Sequence, residues 1–326
     1  MTSALITGGT GFIGLNLAKN LLSKGYSVTL VDNLFRGKND KDVQEVLRNK
    51  KAKFVKCDLT DAKRLSKLKK HDYVFHLAAI NGTKYFYEIP DIVLRTNILT
   101  TLNMLEWYAK HKGKRLVFSS SSEAYAGTIK KFGGKVPTPE DIALSIDDVF
   151  NARWSYGGSK LAGELLVINY GRQRKFDFSI VRYHNIYGPR MGHEHVIPEF
   201  VKRIVKKENP FTVKGGKETR AFCFVSDAVE ATRKVAIASK TADQIVNVGN
   251  SREEIGITEL AKRLFRVAKV NPKFKILPAP KGSVSRRCPD TTKQRKLAGF
   301  VPKVSLNEGL KITFDWYMEH YLGKKQ

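Results

Sequence analysis

The sequence predicts an α/β protein built on a doubly wound parallel sheet, with a smaller, mostly helical region at its C-terminal end. Two observations predict this fold. Short β-rich runs alternate with helix-period segments through the first two-thirds of the chain, a pattern typical of parallel sheets covered by helices. From about Pro189 onward, amphipathic segments such as HVIPEFVKRIVKK and ITELAKRLFRVAKV replace the alternation, which indicates a second region.

The β-rich runs give the strands of the sheet in order. They lie at 3–7, 26–31, 53–57, 72–77, 115–119 and 178–183. Between the first two runs, Ile13, Leu17 and Leu21 recur at helical spacing, and Gly25 follows as a helix stop. The segments 222–239 and 245–248 read as strand and helix that return to the sheet. We therefore expect one domain over 1–188, with 218–250 returning to it, and a second over 189–326.

The composition predicts a folded, soluble protein. The chain has 326 residues, 42% of them hydrophobic, and three cysteines (Cys57, Cys223 and Cys288) outside any C-x-x-C pairing. This predicts neither a disulfide framework nor a metal site, and it fits a reducing cytoplasm. The N-terminal MTSALITGG does not read as an export leader, and the chain lacks an apolar run of about 18 residues, so we expect no membrane span.

The charge balance is strongly basic. There are 58 Lys and Arg against 31 Asp and Glu, which gives a formal net charge of +27. Such an excess favours nucleic acid, an anionic membrane surface or an acidic small molecule. Basic clusters such as KLKK at 67–70 lack interleaved aromatic residues, so we expect a solvated lysine-rich surface and an acidic ligand, with neither nucleic acid nor a membrane as partner.

The segment TGGTGFIG predicts a dinucleotide site. It places Gly8, Gly11 and Gly14 between the first strand and the first helix, where glycines allow a tight turn, close approach of the pyrophosphate and close helix packing. This makes the fold Rossmann-type. Asp32 ends the second strand, where a carboxylate would bind the adenosine ribose and oppose a 2′-phosphate. NAD is therefore favoured over NADP, although Arg36 nearby is compatible with NADP.

SYGGSK and the serine-rich stretch SSSSEAYAG at 119–127 predict a catalytic site. Tyr156 and Lys160 lie four residues apart, on one face of a helix. A base near neutral pH requires the tyrosine pKa to fall by roughly three units, about 4 kcal/mol, and a nearby ammonium together with a positive nicotinamide favours the phenolate. The serines follow the fifth strand, at the edge of the sheet where ligands bind in open α/β folds.

Together these motifs resemble the extended short-chain dehydrogenase/reductase family, in its nucleotide-sugar epimerase/dehydratase branch. The resemblance extends over nearly the whole chain and also includes HLAA (76–79), RYHNIYGPR (182–190), TRAFCFVSDAVEA (219–231) and the closing RRCPDTTKQRKLAGFVPKVSLNEGL. It implies NAD as cofactor, a UDP-sugar as substrate, a C-terminal substrate domain, and a homodimer through helices that include Leu161–Gly171.

The resemblance also implies residue roles. Tyr156 would be the base, Lys160 would hold the nicotinamide ribose, and Ser121 would be the catalytic hydroxyl, with Ser120 and Ser122 as alternatives. Glu123 completes the catalytic set. The residues that match cofactor-binding positions are Gly8, Gly11, Phe12, Ile13, Gly14, Asp32, Asn33, Asp58, Leu59, Leu77, Ala78, Ala79 and Asn97, with Tyr156 and Lys160. Those that match substrate-binding positions are Ser122, Asn185, Arg190, Arg220, Arg287 and Asp290.

The members of this branch share a first step, oxidation at C4 to a 4-keto sugar, and differ afterwards. Ser122-Glu123 replaces the Asp-Glu typical of 4,6-dehydratases and resembles the uronic acid decarboxylases. The long insert at 127–154 and the segment GPRMGHEHVIPEF favour an epimerase. We therefore predict a UDP-sugar 4-epimerase acting on UDP-glucuronate or UDP-glucose. A UDP-glucuronate decarboxylase, a 4,6-dehydratase, a dehydrogenase that releases NADH, and a non-catalytic NAD- or RNA-binding scaffold are the alternatives.

Overall fold

The computed structural model describes residues 1–216, 218–279 and 284–322. The strands are β1 (Ser3–Thr7), β2 (Ser27–Asp32), β3 (Ala52–Lys56), β4 (Tyr73–His76), β5 (Arg115–Ser121), β6 (Phe178–Tyr183), β7 (Ile186–Tyr187), β8 (Phe211–Lys214), β9 (Thr219–Ala221), β10 (Cys223–Phe224), β11 (Gln244–Val248), β12 (Glu254–Gly256), β13 (Phe274–Leu277) and β14 (Arg286–Arg287). The helices are α1 (Phe12–Ser23), α2 (Lys41–Leu47), α3 (Ala62–Leu65), α4 (Thr83–Glu88), α5 (Pro90–His111), α6 (Ala126–Phe132), α7 (Trp154–Arg174), α8 (Val196–Val205), α9 (Val225–Ile237), α10 (Ile257–Ala268), α11 (Thr292–Ala298) and α12 (Leu306–Leu322).

A seven-stranded sheet in the order β11-β6-β5-β4-β1-β2-β3 forms the centre of the molecule. Its neighbouring strands all pair in parallel. The strand order changes direction between β1 and β4. In parallel sheets such a point opens a crevice at the carboxyl ends of the strands. The predicted fold class is confirmed.

Both faces of the sheet are buried. In β1, Ile6 contributes to an apolar cluster that contains Leu17 of α1 and Val229 of α9. The preceding residue, Leu5, belongs to a second cluster with Met104 of α5 and Val167 of α7. Successive side chains of a strand point to opposite faces, so an unbroken apolar run is what a strand covered on both sides requires.

The predicted strands of the sheet are confirmed to within two residues at each end. The second region is less purely helical than the sequence predicts, because it contains the pair β8–β13 and the three-stranded sheet β12-β9-β14. These strands have two to four residues and pair with distant segments, so they leave no local periodicity to detect. The division into domains stays a prediction. Within the described part of the chain, no helix combines the length and the apolar character needed to cross a bilayer.

Candidate active site

A cavity of about 1590 Å³ lies at the carboxyl ends of the central strands. The turn after β1, the ends of β2 and β5, the start of α7 and the segment after β6 all contribute to its wall. It therefore joins the predicted dinucleotide site to the predicted catalytic residues.

The glycine-rich turn has the shape that a pyrophosphate requires. Gly8 has φ +66°, and a Cβ at Gly14 would lie 2.2 Å from the carbonyl oxygen of Gly8, so neither position accepts a side chain. Gly11 begins α1 without a side-chain cap. Thr10 Oγ1 is buried and has no hydrogen-bond partner among the described residues. A helix start and a hydroxyl without partners suit phosphate oxygens.

Asp32 lies beside this turn, where it could reach a ribose. Its carboxylate accepts hydrogen bonds from the backbone of Thr10 at 3.2 Å and of Leu34 at 2.8 Å. Asp58 also lines the cavity. Burial would raise the pKa of Asp58, but hydrogen bonds from Thr60 and Asn33 outweigh it and lower that pKa. These groups therefore fit NAD. The amides of the turn can donate to its phosphates, and the carboxylates can accept hydrogen bonds from its ribose hydroxyls.

The serine-rich stretch is fixed residue by residue against α7. The carbonyl oxygen of Ser119 accepts a hydrogen bond from Lys160 Nζ at 2.7 Å. Ser120 Oγ donates to the buried carboxylate of Glu164, and the hydroxyl of Ser121 hydrogen-bonds to Tyr156. These contacts favour Ser121 over Ser120 as the catalytic hydroxyl, because Ser121 bonds to Tyr156 whereas the Ser120 hydroxyl is engaged by Glu164.

The protein alone does not lower the pKa of Tyr156. Burial raises this pKa, although the Ser121 hydrogen bond and the charge of Arg36 act in the opposite direction. Burial also lowers the pKa of Lys160 to about 7, while Glu164 acts to raise it. Lys160 Nζ lies 5.6 Å from the centre of the Tyr156 ring, and the predicted fall in the tyrosine pKa, which also involves the positive nicotinamide, stays a prediction.

Glu123 lies between two arginines at the end of the cavity where the sequence predicts the sugar, which we call the sugar end. Arg153 donates to Glu123 Oε2 through Nε at 2.8 Å and Nη2 at 2.5 Å, and Arg287 Nη1 donates to Oε1 at 2.5 Å. Burial alone would raise the pKa of Glu123, but Arg287 and Arg153 outweigh it and lower that pKa to about 2. The carboxylate is therefore anionic near neutral pH and is a weak base.

A third arginine adds positive charge to this end. Arg220 in β9 pairs in register with Arg287 in β14, so the strand pairing brings the two guanidiniums together. Burial, and then the charge of Arg287, lower the pKa of Arg220 to about 10. Three arginines against one glutamate leave excess positive charge where an anionic ligand would bind.

Most predicted site residues line this cavity. Among them are the turn residues Gly8, Gly11 and Gly14, the catalytic set, and Asn185, Arg220 and Arg287. Two predicted residues lie behind the wall. Asn97 hydrogen-bonds to the backbone of Ile80 and to Ser159, so it positions the segment after β4. Asp290 accepts the backbone N–H of Thr292.

Arg190 differs from its predicted place. The sequence assigns it to the substrate, but its guanidinium donates to Asp40 at 2.6 Å, to Asp42 at 3.0 Å and to the carbonyl oxygen of Thr10 at 2.9 Å. It therefore lies at the cofactor end. Its φ of 69° turns the chain at this point, and the acidic start of α2 pairs with its side chain.

Sequence reasoning missed Arg153 and Glu164. Arg153 precedes Tyr156 by three residues but is one basic residue among many, so no signal in the sequence sets it apart. Glu164 continues the spacing of Tyr156 and Lys160 along one helix face. An acid at this third position was a detectable signal, and in the fold it is buried and pairs with Arg182 at 2.6 Å.

Comparisons with known proteins agree with this site. Residues 4–249 match the model of the NAD dependent epimerase/dehydratase family. A UDP-N-acetyl-alpha-D-glucosaminuronate decarboxylase from Bacillus cytotoxicus is 36% identical over 97% of both chains. A UDP-glucuronate 4-epimerase from Thermodesulfobacterium geofontis is 32% identical over 97% of this chain and 96% of that one.

The fold has close counterparts among solved structures. The crystal structure of UDP-glucose 4-epimerase with UDP-glucose from Thermotoga maritima superposes with a TM-score of 0.86 and is 30% identical, over 98% of this chain and 100% of that chain. The family match covers the sheet, the glycine-rich turn and the Ser121–Tyr156–Lys160 group. This chain belongs to the NAD-dependent epimerase/dehydratase family.

Proposed function

We propose that the protein is an NAD-dependent decarboxylase of UDP-uronic acids. The observation that carries this proposal is the pairing of Glu123 with Arg153 and Arg287 beside Ser121 and Tyr156. The positive charge of these arginines suits an acidic sugar, and the relative with 36% identity is named as a decarboxylase of such a sugar. The sequence alone favoured a 4-epimerase, which begins with the same step.

The first step uses groups placed at the tyrosine. Tyr156 accepts the proton of the C4 hydroxyl, and Ser121 hydrogen-bonds to the same oxygen. NAD, which the glycine-rich turn and Asp32 would hold, would supply the oxidant for C4. Lys160 lies one helical turn from Tyr156 and hydrogen-bonds to Ser119, from where it can reach the ribose. The substrate then has a ketone at C4, in β position to its C6 carboxylate.

Loss of carbon dioxide from this keto acid needs no base. The bond between C5 and C6 breaks, its electron pair passes to the C4 oxygen as an enolate, and Ser121 and Tyr156 stabilise that oxygen by hydrogen bonds. C5 then takes a proton from solvent. Return to C4 of the hydride removed in the first step, which the reduced cofactor would supply, together with a proton from Tyr156, would give a UDP-pentose and restore both enzyme and cofactor.

The state of Glu123 disfavours the 4,6-dehydratase. That reaction needs a base strong enough to remove the proton at C5, and a carboxylate whose pKa is lowered to about 2 is a poor one. A 4-epimerase needs no such base, but its keto sugar must turn over in the site. Arginines that bind a sugar carboxylate would oppose this rotation, which favours the decarboxylase.

The 4-epimerase remains the second candidate. The whole-length likeness to a UDP-glucose 4-epimerase supports it, as does the curated 4-epimerase relative.

Proton NMR and mass spectrometry of the products separate these activities. The purified protein is incubated with NAD and, in turn, UDP-glucuronate, UDP-N-acetylglucosaminuronate and UDP-glucose. We expect each accepted uronate to yield a product lighter by one carbon dioxide, and UDP-glucose to remain unchanged. An isomer of equal mass would support the epimerase instead. RNA binding without turnover of any sugar would support a non-catalytic scaffold.

A further inference from the structure

The edge of the sheet opposite the cavity has a distinct chemistry. Because the seven strands are parallel, they all begin at this edge. The segments that lead into them are the N-terminus and 24–26, 48–51, 66–72, 112–114, 175–177 and 238–243. We call the surface they form the strand-entry face. Each of the six internal segments contains an exposed lysine, namely Lys24, Lys50, Lys70, Lys112, Lys175 and Lys240.

Further basic residues extend this face. Arg48, Lys51, Lys67, Lys69 and Lys114 are exposed in the same segments. The last turns of α5 and α7 end here as well, with Lys110, Arg172 and Arg174. The helix dipole favours lysines and arginines at helix C-termini. It does not account for the lysines in the segments between helix and strand.

The acidic residues of the face are already engaged. Asp72 accepts hydrogen bonds from the backbone and hydroxyl of Ser3 and lies 3.3 Å from Lys114. Asp177 lies 3.6 Å from the buried Arg115, and Asp243 accepts the backbone N–H of Phe178 at 3.4 Å. In the part of the chain that the structure describes, Lys50, Lys51, Lys69 and Lys70 have no carboxylate within 4.0 Å of their ammonium groups. The face is therefore strongly positive.

At the strand-exit side, positive charge is concentrated at Arg153, Arg220 and Arg287 in the cavity, whereas other exit segments are mixed in charge. The segments that follow β2, β3 and β4, at 33–40, 57–61 and 77–82, contain Arg36 and Lys38 but also Asp40, Asp58 and Asp61. Part of the surplus positive charge of the chain therefore lies on the strand-entry face. We propose that the strand-entry face binds peripherally to an anionic lipid bilayer, with the catalytic cavity turned toward the solvent.

The side-chain types favour a lipid surface over nucleic acid. Lysine predominates, whereas specific phosphate and base recognition uses the arginine fork. Exposed aromatic residues, on which single-stranded bases stack, lie elsewhere at Phe35, Tyr87, Phe132 and Phe150. The exposed apolar side chains of this face are Met1 and Ile237. Clustered lysines with a few aliphatic residues suit a broad layer of anionic headgroups, whose attraction for each lysine adds up.

Vesicle sedimentation tests the proposal with the full chain. Vesicles of phosphatidylcholine are compared with vesicles that also contain phosphatidylglycerol, at physiological ionic strength. We expect binding to the anionic vesicles alone, and we expect it to weaken as salt is added, because salt screens exposed charges. Equal binding to both vesicle types, or to neither, would overturn the proposal.

Two charge-matched variants locate the contact. The combined Lys50→Glu, Lys51→Glu, Lys69→Glu and Lys70→Glu variant should bind anionic vesicles at least about tenfold more weakly. The control combines Lys206→Glu, Lys262→Glu, Lys273→Glu and Lys275→Glu, which are exposed in the second region and change the net charge equally. It should stay within about twofold of the parent. Equal losses would mean that net charge alone acts and would refute a docking face.

Two further measurements complete the test. UDP-sugar turnover should be unchanged in both variants, because the substituted residues lie at the opposite edge from the cavity. A fluorescent single-stranded RNA and a DNA duplex are titrated at the same salt. Binding of either at concentrations where anionic vesicles are not bound would replace the lipid surface with nucleic acid as the partner. This inference does not depend on which sugar the enzyme converts.

Discussion

The two ends of the cavity are built in different ways. At the cofactor end, backbone groups of one short turn and a carboxylate 22 residues away form the site. At the sugar end, Glu123 meets Arg153 and Arg287, and the second of these is 164 residues away along the chain. The cofactor end therefore depends mainly on local backbone shape, with Arg190 and Asp40 as a long-range support, whereas the charged groups of the sugar end are themselves joined by long-range ion pairs. Changes of substrate can occur at the sugar end without disturbing the cofactor.

The substitution Tyr156→Phe should have the largest effect, because it removes the proposed proton acceptor, which lies between the two ends. Turnover should fall by about 10²–10⁴-fold, while NAD stays bound. Product formation and the NAD content of the purified variant are the measurements. Tyr108→Phe is the matched control, since Tyr108 is a buried tyrosine outside the cavity. Equal losses in both variants would contradict a role in proton transfer.

Acid titration should weaken the sugar end through Glu123. Its pKa is about 2 in the folded chain against an ordinary 4.5, so its stabilising contribution is complete above pH 4.5 and is lost as the pH falls toward 2. That contribution amounts to about 3 kcal/mol in the free energy of unfolding. Urea denaturation of the parent and of Glu123→Gln at pH 7 and pH 3 measures it. The gap between the two proteins should narrow at pH 3, and a constant gap would contradict the ion pairs.

Removal of one guanidinium should impair the sugar end alone. Arg287→Met leaves Glu123 with one partner and should lower kcat/KM for a UDP-uronate by about a hundredfold. NAD affinity should be unchanged, which calorimetry can check. Arg286→Met is the control, because this neighbouring arginine is more exposed and pairs with Glu254 at 2.7 Å. If Arg286→Met costs as much, the effect belongs to the strand β14 and not to the site.

The smallest effect is expected at the cofactor end. Asp32→Asn removes the charge that opposes a 2′-phosphate, so NAD should bind about tenfold more weakly and NADP more tightly. Titration with each cofactor measures both changes. Asp61→Asn, at an exposed helix start, should alter neither affinity. Loss of NAD affinity without any gain for NADP would assign Asp32 to the support of the turn through Thr10.

Local patterns predicted the sheet, the glycine-rich turn and the tyrosine and lysine of α7. These features depend on residues close in sequence, so periodicity and spacing reveal them. The choice among the three serines depends on Glu164, which is 44 residues from Ser120. The sequence predicts a substrate role for Arg190 and does not indicate its pairing with Asp40, which is 150 residues away. Such contacts exist only once the chain is folded, so residue types alone cannot indicate them.

The matched pairs between Ser119–Ser121 and α7 limit how this segment can change during evolution. A deletion of one residue before Ser121 would move each serine to its neighbour's place and reverse which face of the strand it occupies. Another serine would then meet Tyr156, but Glu123 would move by one position, away from its partners Arg153 and Arg287. A run of identical letters, which reads as interchangeable, is therefore expected to tolerate insertions and deletions less than the long segment 127–154 that follows it. A library with single-residue insertions and deletions across both segments would measure that difference.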